Sequence, residues 1–161
     1  MNRIVIFFSA LALIILGGIF LYLNHSNWKP FRCNTHVNSN IFSKDGHPLV
    51  LNMDINIITA HEGSSELIAV GSLKGEDKNY VIARRIFITM RKSDFTGLTK
   101  TTIDRQERRP IDNVPEALWE KYVLPETPGV VFYMETKKLN NNLYLIKGLS
   151  NPHFVCALEK D

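Results

Sequence analysis

The sequence is poor in the residues from which catalytic and cofactor sites are built. Its 161 residues include two cysteines, five histidines and nine glycines. None falls into a nucleophile elbow, an H-E-x-x-H metal motif or a glycine-rich phosphate loop. No enzymatic activity is expected on that ground, and no cofactor. Charge of one sign is also lacking: 19 basic residues face 16 acidic ones, for a formal +3. The two signs interleave, as in Asp104-Arg105-Gln106-Glu107-Arg108-Arg109. A nucleic-acid surface needs a one-signed stripe, so this segment reads as a solvated face and no direct nucleic-acid contact is expected. Repeats, low-complexity stretches and Ser/Gly linkers are missing too, which leaves room for one domain with a proper core.

Two metal patterns are superficial. Asn52-Met53-Asp54-Ile55-Asn56 imitates the start of a calcium loop, but Ile57 stands where Gly must turn the chain and Gly63 where a bidentate Glu belongs. Cys33-x-x-His36 and His153-x-x-Cys156 form a formal Cys₂His₂ set. On strands, however, residues i and i+3 point to opposite faces. His25, His47 and His61 stand alone in turn-like surroundings and read as exposed loop residues.

One long hydrophobic run is present. Ile4 to Leu23 contains one polar residue, Ser9, and no charge. As a helix it would be about 30 Å long, the thickness of a bilayer's hydrocarbon core. It exceeds the apolar region of a cleavable signal and leaves through Ile19-Phe20-Leu21-Tyr22-Leu23, without a small-x-small site. Tyr22 and Trp28 suit the headgroup layer. The expected organisation is a cytoplasmic start at 1–3, a transmembrane anchor at 4–23, a juxtamembrane linker at 24–30 and a periplasmic β domain at 31–161. The chain is expected to be single-pass, with the lipid bilayer as its first partner.

Basic residues do not settle the orientation, because Arg3 favours N-in while Lys29, Arg32 and Lys44 oppose it. The cysteines do. Each follows a Phe at i−2, in Phe31-Arg32-Cys33 and Phe154-Val155-Cys156, so in strands each shares a face with its Phe. An even pair near the two ends of the exported part favours a disulfide in an oxidising compartment over a zinc site or two free thiols.

Beyond the anchor the periodicity is mostly two. Leu49, Leu51, Met53, Ile55 and Ile57 alternate with polar residues, as in a half-buried strand. Further strands are expected at Phe31–Val37, Glu66–Leu73, Tyr80–Met90, Gly97–Ile103, Val130–Lys137, Leu143–Leu149 and His153–Leu158. Asn113-Val114-Pro115-Glu116 reads as an N-cap, an early-turn Pro and a reciprocal Glu, opening a short helix that Pro125 stops. The predicted fold is mainly β: an antiparallel barrel, lipocalin-like, or else a sandwich, with one short helix. In Tyr80–Met90 both faces are largely apolar, including Arg84, Arg85, Ile86 and Phe87 at its centre. One face can look into a barrel; the other must be covered by the short helix or by another protein, which makes these four residues a candidate partner-facing segment.

These features together resemble the FidL-like membrane proteins of enteric bacteria. The residues that carry the likeness are the single anchor, Cys33, Gly71-Ser72-Leu73 leading to Tyr80-Val81-Ile82-Ala83-Arg84, Val114-Pro115, Leu124-Pro125, Leu143-Tyr144-Leu145-Ile146 and Pro152-His153-Phe154-Val155-Cys156. The resemblance implies a place in a bacterial inner membrane and a ToxS-like partner that binds and stabilises or tunes the periplasmic domain of a ToxR-type winged-helix membrane regulator. In some members of that class the paired ectodomains build a lipocalin-like barrel that accepts bile salts. A freestanding carrier or sensor of an apolar small molecule is the alternative expectation.

Overall fold

The computed structural model describes residues 2–23, 30–42, 48–75, 78–148 and 154–159. Helix α1 (Asn2–Leu23) precedes strands β1 (Phe31–Phe42), β2 (Pro48–His61), β3 (Ser64–Lys74), β4 (Asn79–Lys92) and β5 (Leu98–Arg108). Helix α2 (Glu116–Tyr122) follows, then β6 (Val131–Lys138), β7 (Leu143–Gly148) and β8 (Phe154–Leu158). All eight strands join in sequence order, antiparallel throughout, into a closed barrel. Of the two predicted architectures the barrel is therefore the one formed.

The α1 span reproduces the apolar run of the sequence. Its side chains are described continuously only from Leu11 to Tyr22. Among the described residues no helix is long and apolar enough to cross a membrane. The linker at 24–29 and His153 lie outside the described residues, as do His25, Trp28 and His47.

Alternation decides the barrel's inside. Leu49, Leu51, Met53, Ile55 and Ile57 of β2 are all buried, and between them the chain shows polar residues to solvent. Ala69 and Leu73 of β3, Ile82, Ile86 and Ile88 of β4, and Thr101 and Ile103 of β5 continue the wall, and Ile146 of β7 adds to it from the other side. Each fully buried aliphatic side chain contributes about 1.5–3 kcal/mol. Gly71 sits where β3 crowds β2: a Cβ there would lie 2.1 Å from the Asn52 carbonyl oxygen and 2.7 Å from Met53 Cα. Only a residue without a side chain lets the two backbones approach so closely.

Several strands run longer than their periodicity implied, among them β2, which continues past Ile57 to His61. β1 continues to Phe42, and β5 continues through the charged segment to Arg108. In β5 the cause is a bulge. Phe87 pairs with Arg105 and Ile88 with Ile103, which leaves Asp104 as the extra residue. A bulge shifts the inward–outward alternation by one, and Gln106, opposite inward-facing Ile86, thereby points inside. A segment expected to be wholly solvated thus delivers one side chain to the interior.

The strand order fixes which turns share an end of the barrel. The β2–β3, β4–β5 and β6–β7 turns lie at the end where β1 begins, close to Phe31. The β3–β4 turn and the long α2-containing connection lie at the opposite end.

Candidate functional site

The barrel interior holds a partly open cavity of about 410 Å³. Its wall is aliphatic, with Met53, Ile55, Leu67, Ile86 and Ile103 contributing, and α2 faces it through Trp119 and Tyr122. Lys121, Glu126 and Ser39 are the polar residues at its margin. A cavity of this size and lining matches the chemistry of small apolar ligands. Among the described residues no cluster of His, Cys, Asp or Glu could hold a metal ion.

What holds α2 in place is a buried ionic cluster. The Arg84 side chain is 2% exposed and that of Asp112 is fully buried. Arg84 Nε donates to Asp112 Oδ2 at 3.2 Å and Nη1 to Glu116 Oε1 at 2.8 Å. The guanidinium also lies over the Trp119 ring, 4.3 Å from its centroid. The Asp112 carboxylate accepts from the Ala83 amide at 2.9 Å and the Val114 amide at 3.2 Å; Arg108 Nε lies 3.0 Å from its Oδ1 as an ion pair and donates to the Asp112 carbonyl at 3.1 Å. Burial by itself pushes the Asp112 carboxyl up. The Ala83 amide, Arg84 and the Val114 amide outweigh it and hold the carboxyl below the usual carboxylate range. Burial likewise opposes the Arg84 charge, but Glu116 and Asp112 raise its pKa above the ordinary value. The Trp119 Nε1–H donates to Gln106 Oε1 at 2.9 Å, so the β5 bulge supplies the partner that a buried indole needs.

The four central residues of β4 separate by face. Arg84 and Ile86 are 3% exposed and point inward, so they cannot meet a partner; the expectation that they would is corrected. Arg85 and Phe87 point outward. Arg85 pairs with Glu66, and the Phe87 ring lies between the guanidinium groups of Arg85 and Arg105, at 5.4 and 3.7 Å. The expectation that the short helix would cover the outer face of β4 is also corrected, because α2 packs against the interior. The outer face keeps a groove between β3, β4 and residues 109–111, lined by Ile68, Val70, Ala83, Arg85, Pro110 and Ile111.

The helix start also differs from its sequence reading. Pro115 stands at the N-cap and no side chain caps α2. Asn113 Oδ1 instead accepts from the Val81 amide at 2.6 Å, and Glu116 reaches Arg84. The cap-like motif is used to fasten the chain to β4. Asp112 was missed by sequence reasoning; its position directly before that motif was the available signal.

Cys33 and Cys156 are bonded, with Cα atoms 5.5 Å apart. The pairing expected from their contexts is formed, which removes both as zinc ligands. Beside it the β1–β8 ladder consists of Cys33↔Leu158 and Asn34↔Ala157, against twelve register pairs between β1 and β2. Beyond Asn34 the far edge of β1 meets no strand among the described residues.

The profile of the FidL-like putative membrane protein family matches residues 71–156. The chain belongs to this FidL-like family. The matched region runs from Gly71 in the crowded part of β3 to the disulfide cysteine of β8. It contains the whole Arg84–Asp112–Glu116 cluster, α2 and Trp119. Residues 1–70, including α1 and β1, lie outside the match. No curated protein matches the chain.

Proposed function

We propose that this FidL-like protein is a membrane-anchored periplasmic accessory protein. In this reading it binds, and stabilises or tunes, the periplasmic domain of a winged-helix membrane transcription regulator. The observation that carries the proposal is the edge of β1. From Thr35 to Phe42 the strand pairs with β2 on one side and with no described strand on the other. The Arg32 carbonyl accepts from the Glu159 amide across the seam. By strand alternation, the N–H and C=O groups of His36, Asn38 and Asn40 point the same way. An edge of this length with no described strand paired to it is a template for strand addition. Confinement of both proteins to one membrane by α1 raises the effective concentration of the partner, so a modest interface suffices.

The test is co-expression of the full chain with a winged-helix membrane regulator from the same genome, followed by co-purification in detergent. Asn38→Pro and Asn40→Pro remove edge N–H groups without touching the β2 ladder, and should abolish association while leaving the disulfide formed. If the wild-type chains never associate, and deleting the gene leaves regulator abundance and output unchanged, the proposal is wrong.

The cavity supports a second reading, a carrier or sensor of an apolar small molecule such as a bile salt. The interior is not packed solid, and its aliphatic wall lies under α2. The two readings are separable, since a lone carrier takes up a ligand without any partner present.

A further inference from the structure

The end of the barrel nearest α1 has a composition of its own. Phe95, at the β4–β5 turn, is 60% exposed, and Leu139, at the β6–β7 turn, is 49% exposed. These are apolar tips on turns, where polar residues are the rule. Beside them stand four exposed cations: Arg91 and Lys92 at the end of β4, Lys137 and Lys138 at the end of β6. Among the described residues the acidic ones there include Glu62, Asp94 and Glu159, and Glu159 is engaged by Arg32 at 2.9 Å. Phe95 keeps its ring against Tyr133, 5.7 Å between centroids and nearly perpendicular. The aromatic is therefore held at the tip rather than folded back into the core.

Chain connectivity says what faces this end. Residues 24–30 span at most about 25 Å when fully extended, and β1 enters the barrel beside these turns. With α1 in a bilayer, the Phe95 and Leu139 turns lie within reach of the headgroup layer, and the α2 end faces away. Apolar tips ringed by Lys and Arg are the composition that partitions into an anionic interface.

We propose that the turn end of the barrel docks on the anionic lipid surface. Phe95 and Leu139 enter the headgroup region, while Arg91, Lys92, Lys137 and Lys138 meet lipid phosphates. The proposal rests on α1 being a membrane anchor. Its consequence is orientation: docking holds the barrel upright, so that the β1 edge and the α2 end stand at fixed heights above the membrane.

The experiment uses the full chain reconstituted into vesicles of phosphatidylcholine, with or without phosphatidylglycerol, carrying brominated acyl chains that quench nearby indoles. Phe95→Trp should be quenched beyond the wild-type background of Trp28 and Trp119, and more in the anionic vesicles. Ile111→Trp, at the far end, should not. Combining Phe95→Trp with Lys137→Gln and then Lys138→Gln should lower the docked-to-undocked ratio by roughly fivefold per cation removed. Flotation and an intact disulfide are read on every sample. A chain that does not float with vesicles overturns the anchor itself. A chain that floats, is folded, and shows equal quenching for Phe95→Trp and Ile111→Trp overturns docking alone.

Discussion

Cys33 and Cys156 are covalently joined at the seam that has the fewest register pairs among the described residues. They lie 123 residues apart in sequence, and their strands share two register pairs. The ring of strands is thus closed as much by a covalent bond as by a ladder.

Removing that bond should be costly. Cys33→Ala with Cys156→Ala is expected to destabilise the domain by about 4–5 kcal/mol, since the loop it closes is long. Urea unfolding of the full chain in mild detergent measures it. A loss below about 1 kcal/mol would mean that the short ladder and the core close the barrel unaided.

Arg84 and Arg85 are adjacent in sequence and opposite in consequence. Arg84→Met leaves Asp112 buried without its main cation and should cost about 3–5 kcal/mol. Arg85→Met removes a half-exposed pair with Glu66 and should cost about 1 kcal/mol or less. Equal effects at the two positions would show that burial of the Arg84 cluster is not what fastens α2.

Stability should also fall in acid. The Asp112 carboxyl titrates below its ordinary value in the folded chain, so the unfolded chain takes up this proton first. The stabilisation is complete above the unfolded pKa of about 4 and is lost as pH falls through the lower folded value. The acid-induced drop in stability between pH 5 and pH 2, about those limits, should be smaller in Asp112→Asn, although that variant is less stable at neutral pH. An unchanged acid profile would remove Asp112 from the account.

Gly71→Ala tests the close approach of β3 and β2. Its Cβ would overlap main-chain atoms, which cannot rotate away as a side chain could, so a loss of about 1–3 kcal/mol is expected. Ala at this position with no loss of melting temperature would mean that the strands can separate at little cost.

Ala69 lines the cavity and is 2% exposed. Ala69→Leu places about three extra carbons inside, and should weaken binding of a fluorescent apolar probe several-fold or more, at about 0.8 kcal/mol per methylene displaced. Probe binding indifferent to this change would locate the apolar site elsewhere, with the outer groove at Ile68 and Val70 the next place to look.

What the sequence determined by itself is what short-range pattern can carry. Period-two alternation in Leu49–Ile57 defined a strand and its inner face, because side chains of a strand point alternately to its two sides. The Phe-x-Cys contexts and an even cysteine count were enough for the disulfide, and about eight expected antiparallel strands, whose edges need closure or a second sheet, favoured a barrel or sandwich. Tertiary structure decided the rest. Arg84 reads as one more charge on a strand until Asp112 and Glu116, 28 and 32 residues later, meet it inside. Only that meeting makes burial of a guanidinium affordable. The bulge at Asp104 reverses which of Arg105 and Gln106 points inward, and it exists only in the pairing of β5 with β4. The edge of β1 that no described strand pairs is invisible along the chain, since whether an N–H is satisfied depends on which strand arrives beside it and how far it extends.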